Sequence, residues 1–359
     1  MPKILLVCPR RIGDVFLASS VAAGLKKTVP NIKIDFLVFE GTEKVLEANP
    51  DVNQVICVQE KMPILAHLKF LFDIRAKYDI AVSLLPGDRP ILYALFAGDI
   101  SIGVVSREIK YFWKRWLLKR YVEPSENPIH TVLEYHRIVE QYHPIELSSP
   151  QIHWSHEDDA YVEACLSENN VNGGYAVLHL TPKYSYKEWP IDCWRKLASF
   201  IEKKDLRVIL IGMKTATYVE DENFWPAGTI NLLDAMSLPQ VARLVSGAQI
   251  YVGTDTAVTH IAAATGVPTV AIFGPSSPQI WGPWPNSYSI RKNPWKLKGS
   301  QVIGNVTLLQ NSFRDCVPCL KEGCGQHVNS YSDCLRYLDA EEVCSFMHEP
   351  LERSASPTC

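Results

Sequence analysis

The chain has 359 residues, 47% of them hydrophobic and 21% charged, with a formal net charge of -3 and a pI near 6.4. That length and balance predict a soluble globular protein of two ordinary domains and exclude a disordered or fibrous chain. The mild negative charge gives no general pull toward nucleic acid, and no nucleic-acid partner is expected. No apolar stretch reaches the roughly 18 residues of a membrane span. The opening MPKILLVCPRR is too short and too quickly charged for a signal peptide, so a cytoplasmic location is expected. Ten cysteines fit that if most are reduced, with Cys8, Cys57, Cys165 and Cys193 sitting singly in patterned segments.

Taken in order, Lys3 to Cys8 reads as a buried strand, Pro9 to Asp14 as a turn, and Val15 to Lys27 as a helix. Further strands read Ile34 to Phe39, Gln54 to Val58, Ile80 to Leu85 and Ile100 to Val105, with helical segments between. Apolar strands alternating with helices predict a doubly wound parallel sheet. The first strand-to-helix turn lacks G-x-G-x-x-G, and no P-loop occurs, which disfavours a dehydrogenase or a kinase-like NTPase. Asp14 follows Gly13, a residue that lets a backbone bend tightly. It reads either as a first-turn acid favoured by the helix dipole or as a general base facing a cleft. Arg10 and Arg11 beside it read either as a clamp for an anionic substrate or as solvated loop charges.

Arg107 to Arg120 (REIKYFWKRWLLKR) carries six basic residues, one acid and four aromatics. At helical spacing this is a basic amphipathic helix. The commoner reading puts its aromatics in the core and its charges in water; the other lays it on an anionic membrane surface. A helix follows from His130 to Tyr142, and Ile145 to Glu168 reads as the passage into a second domain.

The second half repeats the α/β pattern. Tyr175 to Leu180 is a strand, Ile191 to Glu202 a helix, and Leu206 to Ile211 a strand ended by Gly212. Ser237-Leu238-Pro239-Gln240 has capping-box form. The most informative stretch is Gln249 to Pro275. Its strand stops at Gly253, a polar turn Thr254-Asp255-Thr256 follows, and a small-residue helix carries His260 to a stop at Gly266-Val267-Pro268. A second strand then runs from Thr269 to Phe273. Such a turn lies at the carboxyl end of a parallel strand, where open α/β sheets bind ligands. Thr256 and His260 share one face of the helix start, whose N–H groups and dipole suit a phosphate. His260 also reads as a satisfied core histidine, and Trp189 as a packing residue.

In the tail, Cys316, Cys319, Cys324 and Cys334 read as a structural zinc site, a disulfide source or reduced packing cysteines; their spacing is not a standard zinc pattern. Leu338 to Leu351 reads as a last helix with loose residues beyond it. The predicted organisation is an α/β domain over 1–160, a second over 161–335, and a closing helical segment over 336–359, the two domains facing a central cleft.

Several of these residues, in this order, resemble a known family. Gly13-Asp14, Asn49-Pro50-Asp51-Val52, Tyr78-Asp79, K-x-W-P (Lys187 to Pro190), D-T-x-x-x-H (Asp255 to His260), F-G-P-x-x-P (Phe273 to Pro278) and the cysteine-bearing tail are similar to the bacterial lipopolysaccharide heptosyltransferases of glycosyltransferase family 9, the heptosyltransferase III-like branch included. The resemblance runs from Pro2 to Met347. It implies a GT-B fold with the acceptor in the first domain, the nucleotide sugar in the second, and the last helix returning to the first. It further implies inverting transfer of a heptose from ADP-heptose to the lipopolysaccharide inner core; no paired-carboxylate metal motif is placed in a cleft, so a mechanism without a required cofactor or metal is expected. Asp14 would then be the catalytic carboxylate, with Arg10, Arg11 and Gly13 on the acceptor side. Lys187, Thr254, Asp255, Thr256, Ala257 and His260 would bind the donor. A lipid acceptor of that kind would favour the less common reading of Arg107 to Arg120, peripheral contact with the inner face of the cytoplasmic membrane. Two departures bear on the donor: Ala257 stands where the family usually has glycine, and Met213 to Thr217 lacks the family's ribose-contacting glutamate, with Glu220 and Glu222 further along the loop. Rival readings are a non-catalytic sugar-nucleotide or lipopolysaccharide binding protein, and a nucleotide-sugar epimerase.

Overall fold

The computed structural model describes residues 1–215, 224–311 and 313–347. The chain divides into two compact units, the first made of residues 1–153 with 287–293 and the second of the rest. The division falls seven residues before the expected boundary at 160. The reason is local: Ser155 and Asp158 form a capping box that starts the second unit's first helix.

In the first unit the order is β1 (Lys3–Val7), α1 (Ile12–Thr28), β2 (Lys33–Phe39), β3 (Gln54–Val58), α2 (Ile64–Asp73), β4 (Tyr78–Ser83), α3 (Asp88–Ala97), β5 (Gly98–Val104), α4 (Phe112–Leu117), β6 (Arg120–Val122) and α5 (Thr131–Val139). The six strands form one parallel sheet, β3-β2-β1-β4-β5-β6. Central β1 is an unbroken apolar run, Ile4 to Val7 fully buried, because helices cover both faces of the sheet. Buried Asp35 accepts hydrogen bonds from Asn53 Nδ2 and Tyr78 Oη, both at 2.8 Å, and pairs with Lys3 Nζ at 3.1 Å. Asn49 Oδ1 accepts from Asp51 N, an Asx turn. Tyr78 and Asn49, part of the family-like pattern, therefore hold the fold. Residues 287–293 belong to this unit because Arg291 pairs with Glu140 at 2.6 Å and donates to the Ile145 carbonyl.

The second unit runs α6 (His156–Glu168), β7 (Tyr175–His179), α7 (Ile191–Glu202), β8 (Arg207–Ile211), β9 (Ile230–Asn231), α8 (Leu238–Ser246), β10 (Ile250–Thr254), α9 (Ala257–Thr265), β11 (Thr269–Phe273), α10 (Pro278–Trp281), β12 (Gln301–Ile303), β13 (Val306–Gln310), α11 (Asp333–Arg336) and α12 (Ala340–Ser345). Its sheet is β12-β13-β11-β10-β7-β8-β9, parallel except for the β12–β13 edge pair. One apolar layer joins α7 (Trp194, Leu197, Ile201) to Leu338, Val343 and Met347; the other joins α8 and α9 through Leu244, Val245 and Ala262. The Ser237–Gln240 capping box forms as the sequence predicts.

Two expectations change. Residues 107–120 are not one helix but a 3-10 turn (Ile109–Tyr111) running into the six-residue α4. The commoner burial reading holds only in part there: Tyr111 and Trp113 are half-buried, Tyr111 against Ile91 and Leu118, but Ile109, Phe112 and Trp116 are exposed, while Lys114 is buried, donating to the Pro86 carbonyl and pairing with Asp88 at 2.6 Å. The described part of 336–359 is not one helix but the end of α11 and the short α12. Ala340, Val343 and Met347 sit in the second unit's core, on α7, because those apolar positions share one face. The remainder of that predicted helix, and the tail beyond it, lies outside the described residues.

Candidate functional site

The second unit's site is built where β10 and β7 end side by side, with Gly253 opposite His179. Gly253 is required there, since a Cβ would lie 2.2 Å from Tyr251 Oη. Tyr251 Oη in turn contacts Thr259 Oγ1 at 3.0 Å. The chain leaves β10 at Thr254 and turns at Asp255. Thr256 then caps α9, its Oγ1 accepting from Thr259 N. Gly266, at φ +87°, closes the helix just before Pro268. The first turn of α9 thus presents free N–H groups at a strand's carboxyl end, with Ala257 as the first helical residue.

A charged cluster stands over that turn. A short 3-10 turn, Ser185–Lys187, brings Lys187 Nζ to 2.6 Å from Asp255 Oδ2 and 3.3 Å from the Asp255 carbonyl. Ser276, in the F-G-P-x-x-P turn, also hydrogen-bonds the Asp255 carboxylate. Burial opposes Asp255's charge, but Lys187 and then His260 outweigh it and hold the carboxyl below its ordinary range. Burial likewise opposes charge on Lys187, and Asp255 outweighs it, keeping the ammonium above its usual value. Burial pushes His260 down to about 4, against the pull of Asp255 and with the push of Lys187, so the ring is neutral at pH 7. Among the described residues, His260 Nδ1, Thr254 Oγ1 and Ser277 Oγ are buried without a hydrogen-bond partner. A cation, helix N–H groups and unspent polar atoms around one strand end are chemically suited to an anionic, hydroxyl-bearing ligand.

Lys187, Thr254, Asp255, Thr256, Ala257 and His260, singled out by sequence, are therefore brought together. Sequence reasoning passed over His179, Ser276 and Tyr186. His179 is buried at the end of β7, its Nδ1 3.4 Å from Thr256 Oγ1, and burial lowers it to about 4. Tyr186 stacks on Tyr184 and lies under Lys187 Nζ. The one usable signal was a histidine closing a buried strand. Trp189 is a packing residue: its Nε1 donates to the Leu338 carbonyl at 2.9 Å, and its ring meets Trp194 edge-on. Glu220 and Glu222 lie outside the described residues.

In the first unit, Asp14 is a buried first-turn acid of α1, paired with Arg10 Nε at 3.4 Å. Gly13 lies inside that helix, which starts at Ile12, so the expected tight bend is absent. The N-cap is Arg11, with no side-chain cap bond. Arg11 points to Glu60 at 3.4 Å, both half or more exposed. Beneath Asp14, burial and then the Asp14 charge push the Cys8 thiol up; Cys8 Sγ lies 4.0 Å from Tyr135 Oη.

The tail cysteines do not form a metal centre. Cys316, Cys319, Cys324 and Cys334 are free thiols, and no group of three or more His, Cys, Asp or Glu among the described residues is arranged to hold an ion. Cys334 packs into the core against Leu335, and Cys324 Sγ accepts from Asp333 N at 3.4 Å. Zinc is withdrawn.

The model of glycosyltransferase family 9 (heptosyltransferase) matches residues 91–304, more than half the chain. The chain belongs to this family. It is 25% identical over 296 residues to lipopolysaccharide heptosyltransferase 3 of Escherichia coli, covering 77% of this chain and 84% of that one. Among solved structures, a family 9 glycosyl transferase from Veillonella parvula superposes with a TM-score of 0.78 at 19% identity, covering 98% of both chains. The E. coli ADP-heptose lps heptosyltransferase II superposes at 0.73 and 20%, covering 99% of this chain and 100% of that one. The two parallel-sheet units are accordingly those of the GT-B fold, and this family 9 member is a glycosyltransferase. No helix among the described residues is long and apolar enough to cross a membrane.

Proposed function

We propose that this family 9 enzyme transfers a heptose from ADP-heptose onto a hydroxyl of the lipopolysaccharide core, with inversion at the sugar carbon. The observation that carries the reading is the Lys187–Asp255–His260 cluster at the start of α9, in a chain similar over most of its length to heptosyltransferases. The diphosphate sits on the α9 N–H groups, within reach of Lys187, whose ammonium offsets charge growing on the departing ADP. Asp255 fixes that ammonium, and neutral His260 offers a hydrogen bond without adding charge. Asp14 takes the proton from the acceptor hydroxyl as its oxygen bonds to the sugar carbon and the carbon–phosphate-oxygen bond breaks. Arg10 orients Asp14, and Arg10 with Arg11 attracts the anionic acceptor. The enzyme works from the cytoplasmic side, its lipid-linked acceptor being held in the membrane.

The test is nucleotide release from a panel of sugar nucleotides, with and without deacylated core lipopolysaccharide. ADP released from ADP-heptose only when acceptor is present is the expected result. Release from another sugar nucleotide would overturn the donor, turning attention to Ala257. Donor epimerised without acceptor, or bound with no turnover at all, would overturn the transfer reading.

A further inference from the structure

The first unit leaves two apolar rows uncovered. On α2, Ile64, Leu68 and Phe72 recur every fourth residue with Leu65 beside them, and all four are exposed, Leu65 by 81%. Across Ile109 to Leu117, Ile109, Phe112 and Trp116 recur at spacings of three and four, Ile109 exposed by 87% and Trp116 by 83%. Both segments start at the carboxyl edge of the sheet, after β3 and β5, and both are tied to the stretch Pro86 to Arg89 that leads into α3. Arg89 donates to the carbonyls of Gln59 and Glu60 at the foot of α2, and Lys114 of α4 donates to the Pro86 carbonyl and pairs with Asp88. Helix α3 packs on both sides, through Tyr93 and Ala94 toward Leu71, and through Ile91 toward Leu118. The two rows therefore flank one rim.

Exposed apolar rows on this scale mark an interaction surface. Their charge setting selects the partner. Of the six basic side chains in 107–120, Arg107 pairs with Glu123 and Glu126, Lys110 with Glu108 and Lys114 with Asp88, so that Arg115, Lys119 and Arg120 carry the remaining positive charge; residues 61–77 hold four basic side chains and one acid, in a chain whose overall charge is -3. Aromatic and aliphatic side chains set among lysines and arginines fit the headgroup boundary of an anionic bilayer. The cation that would compete with the apolar row, Lys114, is turned inward instead, which leaves Trp116 and Phe112 foremost. We propose that α2 and the 109–117 segment together form a membrane-docking face that inserts Ile64, Leu65, Leu68, Ile109, Phe112 and Trp116 into an anionic lipid surface. This face lies on the same sheet edge as Arg10 and Asp14, and its docking does not depend on the donor or on the reaction.

Flotation with phosphatidylglycerol-containing vesicles, against pure phosphatidylcholine vesicles, tests it. The expected result is binding to the anionic vesicles, cut at least tenfold by I109S/F112S/W116S and by I64S/L65S/L68S separately. Far-UV circular dichroism, the melting temperature and nucleotide release with a deacylated acceptor should be unchanged, which separates lost docking from lost folding and from failure of the transfer reading. No binding by the wild type, equal binding to both vesicle types, or undiminished binding by both variants would overturn the proposal. So would a wild-type dimer in solution that both variants convert to monomer, since a second copy would then be the occupant.

Discussion

The turns that follow β1 and β10 occupy equivalent places at the carboxyl edges of their sheets, yet they are wired in opposite ways. After β1 a single carboxylate, Asp14, meets a half-exposed arginine at 3.4 Å and rests on Cys8 and Tyr135. After β10 the carboxylate of Asp255 is clamped at 2.6 Å by a lysine that arrives from another loop, with a neutral histidine and a serine closing around it. Both carboxylates are equally buried, so the difference lies in what holds them: under the proposed function the loosely paired Asp14 takes the proton and the clamped Asp255 fixes charge, and substitutions can be chosen to strike one without the other.

The largest effect falls on the first turn. Asp14→Asn keeps the size and removes the base, so turnover should fall by about 10²–10⁴-fold while donor affinity stays within about twofold. Steady-state rates and calorimetric titration with ADP measure the two. Wild-type turnover in this variant would take Asp14 out of the chemistry; lost donor binding would mean the two turns are not separable as drawn. Next comes Lys187→Met, which strands a buried carboxylate. It should lower stability on the order of 3 kcal/mol and also weaken ADP binding, both effects belonging to the second turn alone. A melt unchanged from wild type would show that Asp255 is better solvated than its burial indicates.

A smaller loss is expected from Gly253→Ala. The new methyl meets Tyr251 Oη at 2.2 Å and Thr259 Oγ1 at 2.9 Å, so the cost should be about 1–3 kcal/mol. Adding Tyr251→Phe removes the nearer atom and should recover part of it. If the second change makes matters worse, the Tyr251–Thr259 hydrogen bond matters more than the space.

Much of this architecture was legible in the residues. The continuous apolar run of β1, the strand-turn-helix-stop of β10 and α9, and the Ser237 capping box each depend on neighbours a few positions apart, and local patterning records those. What was not legible spans the sequence. Lys187 and Asp255 are 68 positions apart, and no local period links them; the family resemblance put both on the donor side without showing that they pair. His179 stood alone in a strand and gave no reason to pair it with Thr256. At 107–120 the basic and aromatic pattern was legible but the burial of Lys114 was not, because its partners Pro86 and Asp88 stand at the start of α3, far off in sequence. The tail cysteines left three readings open in the sequence, and the free thiols with Cys334 in the core select the reduced packing one.

Protonation offers a gentler probe of the second turn. His260 and His179 sit at about 4 when folded, against 6.5 when free. Between those values the unfolded chain binds the extra protons, so their neutral burial is fully favourable above about pH 6.5 and is lost as pH falls toward 4. Each should contribute a slope of about 1.4 kcal/mol per pH unit in that window. Denaturant melts of wild type and His260→Gln across pH 7.5 to 4.5 should differ by that one slope. Parallel curves would mean that His260 already carries its proton beside Asp255.

The smallest effect is expected back in the first turn, at Arg11. Its partner Glu60 is as exposed as it is, and an ion pair in water at 3.4 Å stabilises by less than about 0.5 kcal/mol. Arg11→Ala should therefore leave the melt where it was. If the acceptor is anionic and approaches this edge, the same variant should raise the KM for acceptor a few fold, leave kcat and donor affinity alone, and lose most of that difference in high salt, where screening already removes the attraction. Arg10→Ala ought to behave differently, lowering kcat as well, since Arg10 holds the Asp14 carboxylate and Arg11 does not. Identical kinetics for the two variants would mean that the pairing at 3.4 Å with Asp14 does not orient the base, and that both arginines merely colour the field at the mouth of the first turn.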